Sequence, residues 1–161
     1  MAGLAPQSIR TFFVTTVTRG RRSLFQTERM AYLMIDVLAR NRESGRFSLH
    51  EFVITPDHLH LLITPAFEIP LERAVQFIKG GFSYRAKKEP GFVGEVWQPG
   101  FTNQRIRDAR DYAAHRSYID ENPVRKFLSG DYPYCSARGT YPLDPAPPGL
   151  KPIMLAVKSQ G

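Results

Sequence analysis

Cysteine is almost missing from this chain: Cys135 is the single thiol in 161 residues. One thiol closes no internal disulfide and builds no zinc cage of the usual spacing, so disulfide scaffolds and zinc-finger folds are excluded. No apolar run approaches the roughly 20 residues that a bilayer-spanning helix needs. The opening "MAGLAPQSIR" lacks the basic start and apolar stretch of a secretory leader. These absences predict a soluble, cytoplasmic protein with no membrane partner. Negative charge is also scarce. The 15 Asp and Glu are outnumbered by 22 Lys and Arg, giving a formal charge of +7 and a pI near 9.8. Such a surplus points to a polyanionic partner, nucleic acid first of all, although basic surfaces also serve solubility alone.

What is present is ordinary for one folded domain. The hydrophobic fraction is 42% and the aromatic fraction 12%, enough for a core and too much for disorder. "TFFVTTVT" (11–18) is rich in β-branched and aromatic residues and predicts a strand, broken by the basic turn "RGRRS". Met30, Leu33, Met34, Val37 and Leu38 recur at helical spacing between Thr27 and Arg40. "FSLHEFVI" (47–54) and "HLHLLIT" (58–64) predict two strands, separated by Pro-Asp, which is not a favoured hairpin pair. Residues 69–89 predict a helix with Pro70 in its first turn and Leu71, Val75, Ile78 and Phe82 on its apolar face. The Gly80-Gly81 pair weakens that helix and suggests close approach of another backbone. Residues 91–98 and 101–107 predict two short strands. Residues 108–123 predict a helix with Asp108 as cap and Pro123 as stop. Residues 131–161 are a proline-rich extension to the domain at 1–130, expected to run extended along the surface. The alternation of strands and helices predicts an α+β fold: an antiparallel sheet with helices packed on one face.

Two motifs carry chemistry. His58 and His60 are two apart in a strand and share a face, while Leu59, Leu61 and Ile63 take the other. The pair is either two polar residues on the wet side of a sheet or half of a divalent-metal site needing a further ligand. Tyr118 and Asn122 are four apart, hence neighbours on one helix face. They are either a packed aromatic with a helix-closing Asn before proline, or a nucleophile with an amide ligand. Tyr112 is a rival nucleophile, but its spacing puts no amide one turn later. His115 is a candidate proton acceptor, against a solvated helix position. Basic residues fall in clusters: Arg19, Arg21 and Arg22; Lys79, Arg85, Lys87 and Lys88; Arg105, Arg107 and Arg110; Arg125 and Lys126. Each is read as a solvated face or as part of a phosphate track.

"FVITPDHLHLLITP", "IKGGFSYR", "WQPGFTNQRIRD" and "YIDENPVRKFL" occur in this order. Together they resemble the REP-associated tyrosine transposases, a branch of the single-tyrosine HUH transposases, over roughly residues 10–138. The resemblance implies a ferredoxin-like sheet with the two histidines on a central strand. It implies Mg²⁺ or Mn²⁺ bound by His58, His60 and Asn122. It makes Tyr118 the nucleophile that cuts single-stranded DNA through a 5′-phosphotyrosine link. Hairpins of palindromic repeats would be the partners, and Arg19, Arg21, Arg22, Lys79, Arg85, Arg105, Arg107, Arg125 and Lys126 the DNA contacts. The protein would act as a monomer or homodimer. The rival readings are a non-catalytic hairpin binder derived from a transposase, and a metal-dependent nuclease that uses water. Asp120 and Glu121 depart from the family, in which His or Tyr is frequent between the nucleophile and the Asn.

Overall fold

The computed structural model describes residues 10–126 and 128–151. Four strands form one antiparallel sheet in the order β2-β3-β1-β4. They are β1 (Phe12–Val17), β2 (Phe47–Thr55), β3 (His58–Pro65) and β4 (Thr102–Arg105). Three α-helices accompany them: α1 (Glu28–Glu43), α2 (Leu71–Lys88) and α3 (Ala109–Arg125). The chain order βαββαβ with β1 and β3 central is the expected ferredoxin-like arrangement.

Local chemistry sets the helix starts. Thr27 Oγ1 accepts from the Met30 N–H at the head of α1, and Asp108 Oδ1 accepts from the Asp111 N–H (2.8 Å) at the head of α3. Pro70 supplies the fixed φ that opens α2. Despite its Pro-Asp turn, the β2–β3 hairpin pairs closely, Thr55 opposite His58.

Alternation divides the sheet into two faces. Phe12 and Val14 of β1, Phe52 and Ile54 of β2, and Leu59, Leu61 and Ile63 of β3 join α1 and α2 in the larger core. Met34, Leu38, Ile78 and Phe82 meet them there, each fully buried. Gly81 lets α1 come close: a Cβ on it would lie 3.5 Å from Val37 Cγ1. The opposite face carries a smaller core of Val53, Leu62, Ile106, Tyr112, Ile119 and Cys135, roofed by α3. Helices were expected on one face only; α1 and α2 conform, and α3 crosses the other. The reason is that α3 has its own buried stripe, Tyr112, Ile119, Asn122 and Pro123, which needs a partner surface.

Two other expectations give way. Residues 91–98 form a loop, because Gly91 and Gly94 adopt positive φ (76° and 105°) and Val93 stays 86% exposed. Only Trp97 touches the sheet, bridging Thr18, and its indole N–H donates to Lys79 O (2.9 Å). Pro123 does not stop α3, which continues to Arg125. Proline leaves the carbonyl four residues back without its N–H partner. That carbonyl belongs to Ile119, and Cys135 Sγ lies 3.7 Å from it as a replacement donor.

Cys135 comes from the proline-rich segment, which runs extended as expected but also hydrogen-bonds the outer edge of β2. Ile54 N–H donates to Tyr134 O (2.8 Å), and Ser136 N–H donates to Phe52 O (2.8 Å). Asp144 N–H donates to Leu49 O (2.7 Å), next to the bulge between Leu49 and Glu51. The Asp144 carboxylate is held by Arg42 Nε and Nη2 (both 3.0 Å) and by Leu49 N–H (2.8 Å). Asp144→Ala removes three bonds to a charged acceptor and is expected to cost about 2 kcal/mol, read by urea unfolding.

Candidate functional site

Beneath α3 the sheet face turns polar. His58 and His60 project from β3 with ring centroids 4.7 Å apart, exposed by only 5% and 6%. Each is oriented through Nδ1. For His58, Nδ1 meets Asp57 Oδ1 at 2.7 Å and Thr55 Oγ1 at 2.8 Å. For His60, Nδ1 meets Thr15 Oγ1 at 2.7 Å, across the β1–β3 ladder where Thr15 pairs directly with His60. A carboxylate accepting from Nδ1–H leaves the His58 Nε2 lone pair free, the tautomer a metal ligand or proton acceptor needs.

Burial keeps both rings neutral. It lowers His58, with the Asp57 carboxylate opposing the shift. It lowers His60 to about 3, helped by the charges of His58 and Lys126. At Asp57 burial pulls upward, but the hydrogen bond to His58, the His58 charge and Arg21 (3.3 Å) outweigh it and hold the carboxyl below its ordinary value.

The α3 helix brings up the remaining groups. Tyr118 stands edge-on to His60, centroids 5.2 Å apart at 85°. The Arg125 guanidinium covers the Tyr118 ring at 4.6 Å and pairs with Glu121 at 3.0 Å. Asn122, one turn beyond Tyr118, is completely buried inside the helix rather than closing it. Among the described residues, His60 Nε2 and both amide atoms of Asn122 are buried without a hydrogen-bonding partner. Buried polar atoms are almost always satisfied, so three orphans on one face mark a place built for another group. Two imidazole nitrogens and one amide oxygen suit a divalent ion that keeps open positions.

Several residues of the site escaped the sequence. Phe13 is its hub, stacked on His60 (5.2 Å), tilted against His115 (4.8 Å) and edge-on to Tyr118 (5.8 Å). His115 is partly buried; its Nδ1 lies 2.9 Å from Asp111 O and its Nε2 2.8 Å from Gln104 Oε1. Phe13, Thr15, His60, Gln104, His115 and Tyr118 line one cleft of about 410 Å³. Only the pairing of β1 with β3 and β4 reveals Phe13, Thr15 and Gln104. Tyr112 belongs to the small core, 3% exposed, its phenol pushed up to about 12 by burial and by Glu51.

The basic residues divide. Lys126 and Arg125 flank the cleft, and Arg105 lies exposed on the open edge of β4. Arg21 reaches Asp57, and Arg107 reaches Asp111 at 3.4 Å while largely exposed. Arg19 pairs with Glu95 (2.9 Å), and Arg22 donates to Glu95 O and covers Phe92. Lys79 donates to Gln98 O and Gly100 O (3.0 and 2.7 Å), and burial lowers its ammonium. Arg85 is bound to Asp36 and Glu89 (2.6 and 2.7 Å), and those hydrogen bonds raise it. Lys79 and Arg85 therefore hold the fold together on the far side of the sheet.

Residues 10–122 match the family model described as "Transposase IS200 like". The chain is 31% identical over 144 residues to a REP-associated tyrosine transposase of Escherichia coli strain K12, covering 83% of each. Its fold superposes on the solved structure of a REP-associated tyrosine transposase bound to a REP hairpin. That match has a TM-score of 0.64 and 28% identity, over 90% of this chain and 89% of the other. No helix among the described residues is long and apolar enough to cross a membrane.

The state of His60 makes stability depend on acid. Its pKa is about 3 when folded, against about 6.5 when unfolded. Between those values the unfolded chain binds the extra proton, so stability falls as pH drops below about 6.5. At pH 5 the loss from this group alone is about 2 kcal/mol relative to pH 8. His60→Gln is expected to remove that part of the loss, read by urea unfolding at the two pH values.

Proposed function

The chain belongs to the IS200-like transposases, in the branch of the REP-associated tyrosine transposases, and from that membership we infer a metal-dependent enzyme that cuts and rejoins single-stranded DNA at or near hairpins of palindromic repeats. The observation that carries this reading is the contact of Tyr118 with His60 (5.2 Å), with His58 beside it and Asn122 one turn on.

Tyr118 is the nucleophile. Its phenolic oxygen attacks the scissile phosphorus, the bond to the 3′-oxygen breaks, and a 5′-phosphotyrosine bond forms. The phenol loses one proton and the departing 3′-hydroxyl gains one, so the step is proton-neutral. One ester replaces another, and a new 3′-hydroxyl can reverse the cut, as strand transfer requires. His58, His60 and Asn122 would hold Mg²⁺ or Mn²⁺, which when bound neutralises charge on the scissile phosphate. Asp57 and Thr15 fix the two rings so that both Nε2 lone pairs point the same way. Burial keeps these lone pairs unprotonated near neutral pH. Arg125 and Lys126 supply positive charge beside the phosphate's approach, and Arg21, Arg105 and Arg107 extend that track.

The test incubates the protein with Mn²⁺ and labelled hairpins with single-stranded flanks, then denatures it. A covalent protein–DNA adduct is expected with wild type and not with Tyr118→Phe. Cleavage that persists in Tyr118→Phe would instead identify a water-using nuclease, and binding without cleavage a non-catalytic binder. Asp57→Asn is expected to keep the fold and weaken Mn²⁺ binding by about 10- to 100-fold, measured by calorimetry.

A further inference from the structure

Gly80 has no role in the packing of α2. The helix buries Leu71, Ala74, Val75, Ile78, Phe82 and Ala86, and at 100° per residue Gly80 points almost directly away from them. A Cβ there would meet nothing within 4 Å, and its φ is that of an ordinary helix. A solvent-facing glycine inside a helix weakens it relative to alanine, so folding gives no reason for this choice.

The residues sharing that outward face are of one character. Arg73, Tyr84, Lys87 and Lys88 flank Gly80 on it, all exposed, with Tyr84 at 64%. Lys88 Nζ reaches Tyr84 OH at 3.2 Å and lies over its ring at 5.5 Å. Arg73 and Arg46 sandwich Phe77 at 4.8 and 4.0 Å. Among the described residues, none of Arg46, Arg73, Lys87 and Lys88 lies within 4.0 Å of a carboxylate oxygen. Elsewhere on this protein arginines are mostly ion-paired, as Arg40, Arg42, Arg85 and Arg116 are. Glu72, at the flank of the first turn, is the acid nearest this stripe.

We propose that the outer face of α2 binds the duplex stem of the hairpin, on the side of the sheet opposite Tyr118. This rests on the reading above, and it adds where the stem lies. The occupant is a polyanion because the face is cationic at both ends and carries no carboxylate along its axis. It is a duplex because Arg73 and Lys88 are about 22 Å apart along the helix, enough to reach phosphates on both sides of a major groove about 12 Å wide. Gly80, midway, leaves bare helix where a strand comes closest. The stem and the cleft are connected by a short route. Lys79 on α2 anchors the Gln98–Gly100 loop, that loop leads into β4, and Gln104 of β4 reaches His115 in the cleft. A flanking single strand leaving the stem would pass the exposed β4 edge on its way to Tyr118.

The test compares three proteins, wild type, the double variant Lys87→Glu with Lys88→Glu, and Gly80→Gln, on a hairpin with a full stem and on its single-stranded flank alone. The double variant is expected to bind the full-stem hairpin about tenfold less tightly, with a salt slope smaller by about two. Gly80→Gln is expected to raise the melting temperature, since glutamine is the better helix former, yet to weaken stem binding. Nicking of the single-stranded flank should stay at the wild-type rate in both variants. Stem affinity unchanged in both variants overturns the proposal. So does an equal loss on the stemless strand, which would reflect overall charge. Absence of a covalent adduct with wild type is a separate result and bears on the reading of Tyr118 instead.

Discussion

Two imidazoles on a central strand have to be covered, and a wholly apolar cover would leave their outer nitrogens without partners at high cost. The α3 helix is the cover, and it is only partly apolar. Ile119 and Tyr112 fill the small core, while Asn122 brings an amide to the same buried side and Tyr118 lies along its margin. The site is therefore what remains when a sheet with one polar strand face is roofed by a helix with one polar position. Its rigidity is inherited from β3, whose other side is fixed by Leu59, Leu61 and Ile63 in the main core. A change in how α3 crosses the sheet would separate the tyrosine from the histidines without touching either.

The helix keeps its geometry through an unusual place. Proline inside a helix removes a hydrogen bond and bends the chain, and Pro123 directly follows the residue whose orientation matters most. Three features compensate. Pro123 is itself buried, Lys126 N–H closes on Asn122 O at 2.9 Å, and the Cys135 thiol approaches the freed Ile119 carbonyl. The segment bearing Cys135 is in turn fastened to β2 by backbone hydrogen bonds and by the Arg42–Asp144 pair. A stretch that looks like surface trimming thus supports the helix carrying Tyr118.

Much of this could be read from the chain. The His58 and His60 alternation against Leu59 and Leu61 is a local property of a strand, and period-two spacing alone put them on one face. The buried stripes of α1 and α2 were equally local. What was hidden depends on partners distant in sequence. Thr15 orients His60 only because β1 pairs with β3 in one register, and Gln104 reaches His115 only because β4 pairs with β1. Pro123 was read as a stop because local propensity says so, and tertiary packing overrode it. Residues 91–98 have strand-like composition, but Gly91 and Gly94 take conformations that composition does not express. The second helical layer was missed because α3 has a short, mixed buried stripe that resembles a surface helix.

The support of α3 has a mechanical meaning. The helix behaves as a beam held at its head by the Asp108 cap, along its span by Ile119 against the sheet, and near its tail by Pro123 and Cys135. Tyr118 sits next to the middle bearing. A strand covalently joined to that tyrosine and drawn by its hairpin loads the beam close to this bearing, not at a free end. The pull passes into the sheet as shear across β3, where paired backbone resists it, instead of peeling the last turn. A joint that must hold one end of a broken strand while another end is brought up needs that kind of stiffness.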